Sequence, residues 1–378
     1  MLYTEFAGEK ISAMGFGMMR LPVVDGVEAN IDEEAATAMV DYALENGINY
    51  FDTAWGYHDG NSELLAGRAL SRHPRESYYL ATKFPGYNTD NFGKHEEIFA
   101  KQLEKLQTDY VDFYLMHNLY EGNVDYYLNS EKYGTVEYFI EQKKAGKIAH
   151  LGFSCHAGFD SFKRYLDRYG EHMEFCQIQH NYMDWGFQDS RAKIEYLQEC
   201  GIGVIIMEPL RGGGLVDLEP GQVAKLEELR PGKSPVDWAL RYVMHTPGLI
   251  TVLSGMSSPE QMRENVKIFD DDSALTSSQT DALLALGEQK AAAVGVPCTA
   301  CHYCTSYCPM ELEIPDLLHL YNEQLSREKG GFIAPMTVAA MDEDKRPSAC
   351  IGCGACAAVC PQQIPIPETL AKFAELVE

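Results

Sequence analysis

Two stretches near the C-terminal end have residue types and spacing that imply chemistry. "CTACHYCTSYCP", residues 298–309, sets Cys298, Cys301, Cys304 and Cys308 at gaps of two, two and three residues, with a proline behind the last. "CIGCGACAAVCP", residues 350–361, repeats the pattern with Cys350, Cys353, Cys356 and Cys360. Thiolate is a soft ligand, and C-x2-C-x2-C-x3-C-P is the spacing that holds a cubane iron–sulfur cluster, with three sulfurs from one loop and the fourth from elsewhere. The competing readings are zinc ribbons and structural disulfides. They fit less well, because zinc sites usually show two C-x2-C pairs rather than a triplet with a C-x3-C-P ending. Two [4Fe–4S] clusters are therefore expected.

Before these runs, short apolar, β-rich stretches alternate with helical patterns. The strand candidates are "ISAMGFG" (11–17), "INYFDT" (48–53), "YYLATK" (78–83), "VDFYLMH" (111–117), "IAHLGFS" (148–154), "FCQIQ" (175–179), "GVIIM" (203–207) and "ITVLSG" (250–255). Between them lie amphipathic segments such as "DEEAATAMVDYALENG", opened by a capping Asp32 and closed by Gly47. Another is "HEEIFAKQLEKLQ", with Ile98, Leu103 and Leu106 near one face. Such alternation requires a parallel sheet with crossover helices, and eight units before residue 275 predict an α/β fold, a (β/α)8 TIM barrel over residues 1–285. The pattern stops at "AAAVGVPC", so residues 286–378 form a second, small domain. Its segments "IPDLLHLYNEQLSRE" and "FIAPMTVAAMDED" read as helices, which predicts a mainly helical module rather than a compact ββα one.

In a (β/α)8 barrel the chemistry sits at the C-terminal ends of the strands. Asp52, Lys83 and His117 end, or nearly end, the second, third and fourth strand candidates, and "FDTAWGYHDGNSE" adds Tyr57 on the following loop. In these four positions the chain resembles the aldo/keto reductase family. The resemblance covers roughly residues 1–275. It implies reduction of a small-molecule carbonyl by hydride from NADP(H) or NAD(H), with a catalytic set of Asp52, Tyr57, Lys83 and His117. In those roles Tyr57 gives the proton, Lys83 lowers its pKa by favouring phenolate, Asp52 holds Lys83, and His117 donates a hydrogen bond to the carbonyl oxygen.

The same resemblance implies a cofactor cleft. Ser154 and Gln177 would hold the nicotinamide amide, with Cys155 and His156 where the family has an asparagine and Met207 where it has a stacking aromatic. "MEPLRGGGL" (207–215) brings glycines and Arg211 near the pyrophosphate. "LSGMSSPEQMREN" (253–265) is similar to the adenosine-phosphate segment, with Gly255, Ser257, Gln261, Glu264 and Asn265 in matching places. Neither position 255 nor 261 is basic, which leaves Arg263 either to read a 2′-phosphate or to be a solvated helix charge. The C-terminal segment resembles ferredoxin modules, in which the fourth cysteine of each run serves the other cluster. The implied ligand sets are Cys298, Cys301 and Cys304 with Cys360, and Cys350, Cys353 and Cys356 with Cys308. A barrel followed by a ferredoxin module matches a branch of the family found in anaerobes.

Composition limits the partners. Fifty-six acidic against 31 basic residues give a net charge of −25, which argues against nucleic acid and anionic membranes and favours neutral or cationic partners. Eight of the 11 cysteines lie in the two runs; Cys155, Cys176 and Cys200 are expected to be buried small hydrophobes in a reducing compartment. With no signal-like apolar run, the expectation is a soluble, cytoplasmic protein. Hydride carries two electrons and a cubane one, so wiring clusters to nicotinamide needs a converter. A flavin such as FMN, near Met207 and Ser154, or a substrate that tolerates a radical is the expectation for that role, with a ferredoxin or another redox partner at the clusters; the alternative is that the clusters only staple the C-terminal helices. Three function classes follow: a nicotinamide-dependent carbonyl reductase with redox clusters, a flavin-containing electron-transfer reductase, and a redox-sensing regulatory barrel.

Overall fold

The computed structural model describes all residues except 121–122, 294, 297, 299–303, 326–332, 340, 359, 361 and 363, and except the side chains of 293, 306, 333, 336 and 337. The chain divides into two compact units, Met1–Leu284 and Ala285–Glu378.

In the first unit an antiparallel hairpin, β1 (Tyr3–Phe6) and β2 (Glu9–Ser12), precedes eight strands. These are β3 (Met14–Gly17), β4 (Tyr50–Asp52), β5 (Tyr79–Phe84), β6 (Val111–Leu119), β7 (Ile148–Cys155), β8 (Phe175–Gln179), β9 (Gly203–Met207) and β10 (Leu249–Gly255). They pair in parallel and in chain order, and β10 closes on β3, as the alternating pattern predicted. The first strand candidate, 11–17, is the exception. Residues 11–12 belong to the hairpin and the barrel strand starts only at Met14, because Ile11 pairs with Thr4 while Met14 pairs with Val252.

Strand alternation and register place the polar ends of the strands on one face. Asp52 is the register partner of Ala81, Lys83 lies two residues beyond Ala81, and Lys83 in turn pairs with Leu115. His117 lies two beyond Leu115, Leu115 pairs with Gly152, and Ser154 lies two beyond that. Ser154 pairs with Gln177 and Gln177 with Ile205, two residues short of Met207. Side chains two apart on a strand share a face. Ala81, Leu115 and Ile205 fill the apolar barrel interior with Tyr50, Phe113 and Phe175, so Asp52, Lys83, His117, Ser154, Gln177 and Met207 form the layer above that plug.

The opposite faces of the strands pack on the helices. Phe84, next to Lys83, points out of the barrel onto Phe92 and Phe139, with ring centroids at 5.5 and 5.7 Å. Each such fully buried aromatic or aliphatic side chain stabilises the fold by about 1.5–3 kcal/mol. Helix Glu33–Glu45 begins at the expected cap, Asp32, whose carboxylate accepts from the Ala35 N–H at 3.0 Å. Helices Asn61–Leu70 and His95–Leu106 touch at Gly67, where a Cβ would collide with the Lys105 carbonyl.

The second unit is helical: Ile314–Leu325, Ile333–Ala339 and Ile366–Val377 are its main helices, and no strand occurs among its described residues. Leu312, Leu317, Leu318, Val338, Ile366, Leu370 and Phe373 form its core, joined by Cys304 and Cys356. The Asn322 amide ties down the incoming chain, bonding the N–H and carbonyl of Val296 at 2.9 and 2.6 Å.

Candidate active site and cysteine cavity

At the C-terminal rim of the barrel, Lys83 is fully buried and its Nζ lies 2.5 Å from Asp52 Oδ1 and 2.8 Å from the Thr53 carbonyl. Burial alone would strip the charge from this lysine. The Asp52 carboxylate and Tyr57 outweigh it and hold the Lys83 pKa above its ordinary value. Tyr57 presents its ring to Lys83, with Nζ 5.0 Å from the centroid, and meets the His117 ring edge-on at 6.0 Å.

Lys83 lowers the Tyr57 pKa, as the resemblance implies, but it does not set the net direction. Instead the phenol is raised: burial pushes it up, Asp52 adds to that, and Lys83 pulls it only part of the way back. The cation's effect has the expected sign but is the smaller one. Burial likewise drives the His117 imidazole well below its ordinary pKa, and electrostatic repulsion from Lys83 and interaction with His156 add to this. A neutral His117 has one N–H to donate, and its Nδ1 is buried without a hydrogen-bond partner, as is Asp52 Oδ2.

Ser154, Gln177 and Met207 are brought together on β7, β8 and β9. Ser154 Oγ accepts from the Asn118 N–H at 2.7 Å, and Gln177 Nε2 donates to Met207 Sδ at 3.5 Å. Gln177 Oε1 is buried and unpartnered, an acceptor with room for an amide donor. The segment after β10 is knit internally. The Ser257 N–H bonds Gln261 Oε1 at 2.8 Å, Asn265 Nδ2 donates to Ser254 Oγ at 3.0 Å, and Glu264 accepts from Ser234 at 2.7 Å. Ser258 caps helix Pro259–Ile268, and Arg263 pairs with Glu260 at 3.0 Å on its exposed face, a solvated helix charge. Arg20 packs over Gly255 and reaches Glu208 at 3.3 Å. Arg211 turns to the buried Asp184, its Nε 3.5 Å from Oδ2.

Several residues of this rim carry no signal in the sequence. Glu63, fully buried, takes Thr82, Gln102 and Lys105 at 2.6, 2.8 and 3.0 Å, while Gln102 also bonds the Lys83 carbonyl at 2.9 Å. Buried carboxylates must be paired, but only the fold reveals with what. Of the loop aromatics near the site, Tyr87 stands edge-on to His117 at 5.3 Å, whereas Tyr126 packs on Phe92 and Tyr133.

In the second unit, Cys308, Cys350, Cys353 and Cys356 line one apolar cavity with Met310, Leu312, Ile314 and Leu370. Cys350 and Cys308 also bear electrostatically on Cys356, whose thiol burial pushes up. Cys298, Cys304 and Cys360 pack into the same core; Cys301 lies outside the described residues. Of the three other thiols, Cys155 and Cys176 are buried as expected, but Cys200 is exposed at the end of helix Ser190–Glu199.

Residues 13–288 match the model of the aldo/keto reductase family. The chain belongs to that family. This aldo/keto reductase continues into a 4Fe-4S dicluster domain, matched over residues 297–364. Its barrel is 31% identical over 303 residues to L-galactose dehydrogenase of Arabidopsis thaliana, covering 73% of this chain and 92% of that one. It is 26% identical over 321 residues to the NADH-specific methylglyoxal reductase of Escherichia coli (strain K12), covering 72% and 96%. Among solved structures, aldo-keto reductase AKR11C1 from Bacillus halodurans (holo form) is 28% identical with a TM-score of 0.62, covering 76% of this chain and 96% of that one. The reductase is thus an oxidoreductase-family enzyme with an appended iron–sulfur module. Among the described residues no helix is long and apolar enough to cross a membrane.

Proposed function

We propose that the barrel reduces a small-molecule carbonyl with a nicotinamide cofactor, Tyr57 giving the proton. The observation that carries this reading is the contact set at the rim, in which Lys83, charged by Asp52, faces the Tyr57 ring beside a neutral His117. A phenol raised by burial stays protonated at neutral pH, as a proton donor must. Lys83 stabilises the phenolate left when the proton departs, and Asp52 fixes Lys83 for that task. His117 orients the carbonyl oxygen by hydrogen bonding.

Nicotinamide, when bound, supplies the hydride. Gln177, with its unpartnered Oε1, and Ser154 would hold its amide beside Met207. Gly255, Ser257, Gln261, Glu264, Asn265 and Arg211 would border the phosphates and adenosine. The methylglyoxal reductase and the galactose dehydrogenase, one named for a carbonyl and one for an alcohol, support this reaction class. FMN has no support in this geometry and is not proposed. The test is anaerobic turnover of a carbonyl panel with NADH and with NADPH. Reduction by the parent and its loss in Tyr57→Phe are expected; equal rates in the two would overturn the reading.

For the C-terminal unit we propose two [4Fe–4S] clusters, one on Cys298, Cys301, Cys304 and Cys360, the other on Cys350, Cys353, Cys356 and Cys308. An apolar cavity lined by four cysteines from both runs suits a cubane, whose ligands are soft thiolates. A redox partner is favoured over a purely structural role by the exposed Cys353 and by Ile351, which is 62% exposed, so that the second-run loop meets solvent. Anaerobic mixing with NAD(P)H and with reduced ferredoxin, followed at the iron–sulfur absorption, tests it. If neither changes that absorption, the clusters are structural.

A further inference from the structure

Tyr57 is followed by three residues in left-handed backbone: His58, Asp59 and Gly60, at φ +52°, +54° and +89°. L residues avoid consecutive left-handed positions because Cβ crowds the next carbonyl, and non-glycine residues stay there only where their surroundings over-determine them. The His58 side chain supplies that constraint. It is 2% exposed, with Nδ1 2.7 Å from the Glu28 carbonyl oxygen and Nε2 3.2 Å from the Leu21 nitrogen. A carbonyl can only accept and an N–H can only donate, so these partners select the neutral ring with its hydrogen on Nδ1. The Glu28 carboxylate lies 3.4 Å from Nδ1.

The residues that follow grip the same segment. Asn61 Nδ2 donates to the Ala29 carbonyl and Ser62 Oγ to the Met18 carbonyl, each at 2.9 Å. Residues 18–29 are therefore bonded along their length to the loop that starts at Tyr57. The other side of this segment faces residues assigned above to the cofactor and the catalytic set. The Met18 N–H bonds the Asp52 carbonyl at 2.8 Å, the Arg20 carbonyl accepts from Ser257 Oγ at 2.8 Å, and the Arg20 guanidinium meets Glu208 at 3.3 Å.

We propose that His58 is a positioning residue for the proton donor: its imidazole locks the left-handed turn that holds the Tyr57 phenol against Lys83 and His117, and makes segment 18–29 the link between the dinucleotide cleft and Tyr57. This inference rests on the reading of Tyr57 as proton donor. Without the ring, the turn is free to relax and Tyr57 to swing from Lys83; misplacement of a reacting group by about 1 Å costs on the order of 10²-fold in rate. Water admitted beside the phenol would also relieve the burial that raises it.

The test uses the full-length holoenzyme. His58→Gly can still adopt the left-handed backbone, since glycine has no Cβ penalty there, but it loses both ring contacts that hold the turn in place. Its kcat for carbonyl reduction should fall about 10²-fold, and the basic limb of its pH–rate profile should move to lower pH. Imidazole added to the buffer should recover part of kcat in His58→Gly and none in Tyr57→Phe. His58→Asn, which tolerates left-handed backbone and retains a donor for Glu28, should lie between. A folded His58→Gly with the parent's kcat and pH profile overturns the proposal. So does a rate loss that neither imidazole nor asparagine repairs and that leaves the profile in place. If His58→Gly does not fold, the same readouts on His58→Asn and His58→Gln decide. Parent-like turnover by Tyr57→Phe would refute the proton-donor reading itself, an outcome distinct from any obtained at His58.

Discussion

Cys308, the last cysteine of the first run, and Cys356, inside the second, line the same cavity. Because the second run brings three cysteines to that cavity and the first only Cys308, Cys308→Ser should damage the cluster of the second run and spare that of its own. Cys360→Ser should do the reverse. Iron content and electron paramagnetic resonance of the reduced single variants read this directly. Loss of the same-run cluster in either variant would mean that the fourth ligands do not cross.

Tyr57→Phe deletes the proton donor and nothing in the proposed cofactor cleft. Carbonyl reduction should drop by about 10²-fold or more, while nicotinamide affinity, read by quenching of protein fluorescence, stays within about twofold of the parent. A parallel loss of affinity would place Tyr57 in cofactor binding instead.

Lys83→Met removes the one influence that pulls the Tyr57 pKa down, so the basic limb of whatever activity remains should move to higher pH. It also leaves Asp52 buried without its cation, at a cost of about 3–5 kcal/mol. Adding Asp52→Asn to Lys83→Met should return much of that stability in urea titrations without returning activity. A double variant no more stable than Lys83→Met would show that the pair does not stabilise the rim in this way.

His150 bonds Glu174 at 2.9 Å and Glu9, the first residue of β2, at 3.2 Å. Burial pulls its pKa down, but the two carboxylates overcome that and leave it above the ordinary 6.5. The sign follows from linkage: the contribution to stability is fully present below about pH 6.5 and is lost as pH rises through the raised folded value. The urea midpoint of the parent should therefore exceed that of His150→Gln most near pH 6, and the gap should close toward pH 9. A gap that does not vary with pH would remove the charge on His150 from the account.

What the sequence determined by itself was whatever short-range pattern encodes. Short apolar, β-rich runs marked all eight barrel strands, a cap residue such as Asp32 marked a helix start, and the repeated cysteine spacing marked the second domain. The residues at strand ends could be singled out because a barrel exposes those ends at one rim.

Tertiary structure decided the rest, because it depends on contacts between residues remote in the chain. Register, not spacing, stacks Asp52, Lys83, His117 and Gln177 in one layer. Burial, invisible in a string of letters, outweighs Lys83 and raises the Tyr57 phenol instead of lowering it. Arg211 reads as a free cation until Asp184 comes up beside it, and His58 as one more polar loop residue until its ring is seen holding Leu21 and Glu28. Charge, proton affinity and backbone strain are properties of surroundings, and the surroundings of these side chains come into being only when the barrel closes.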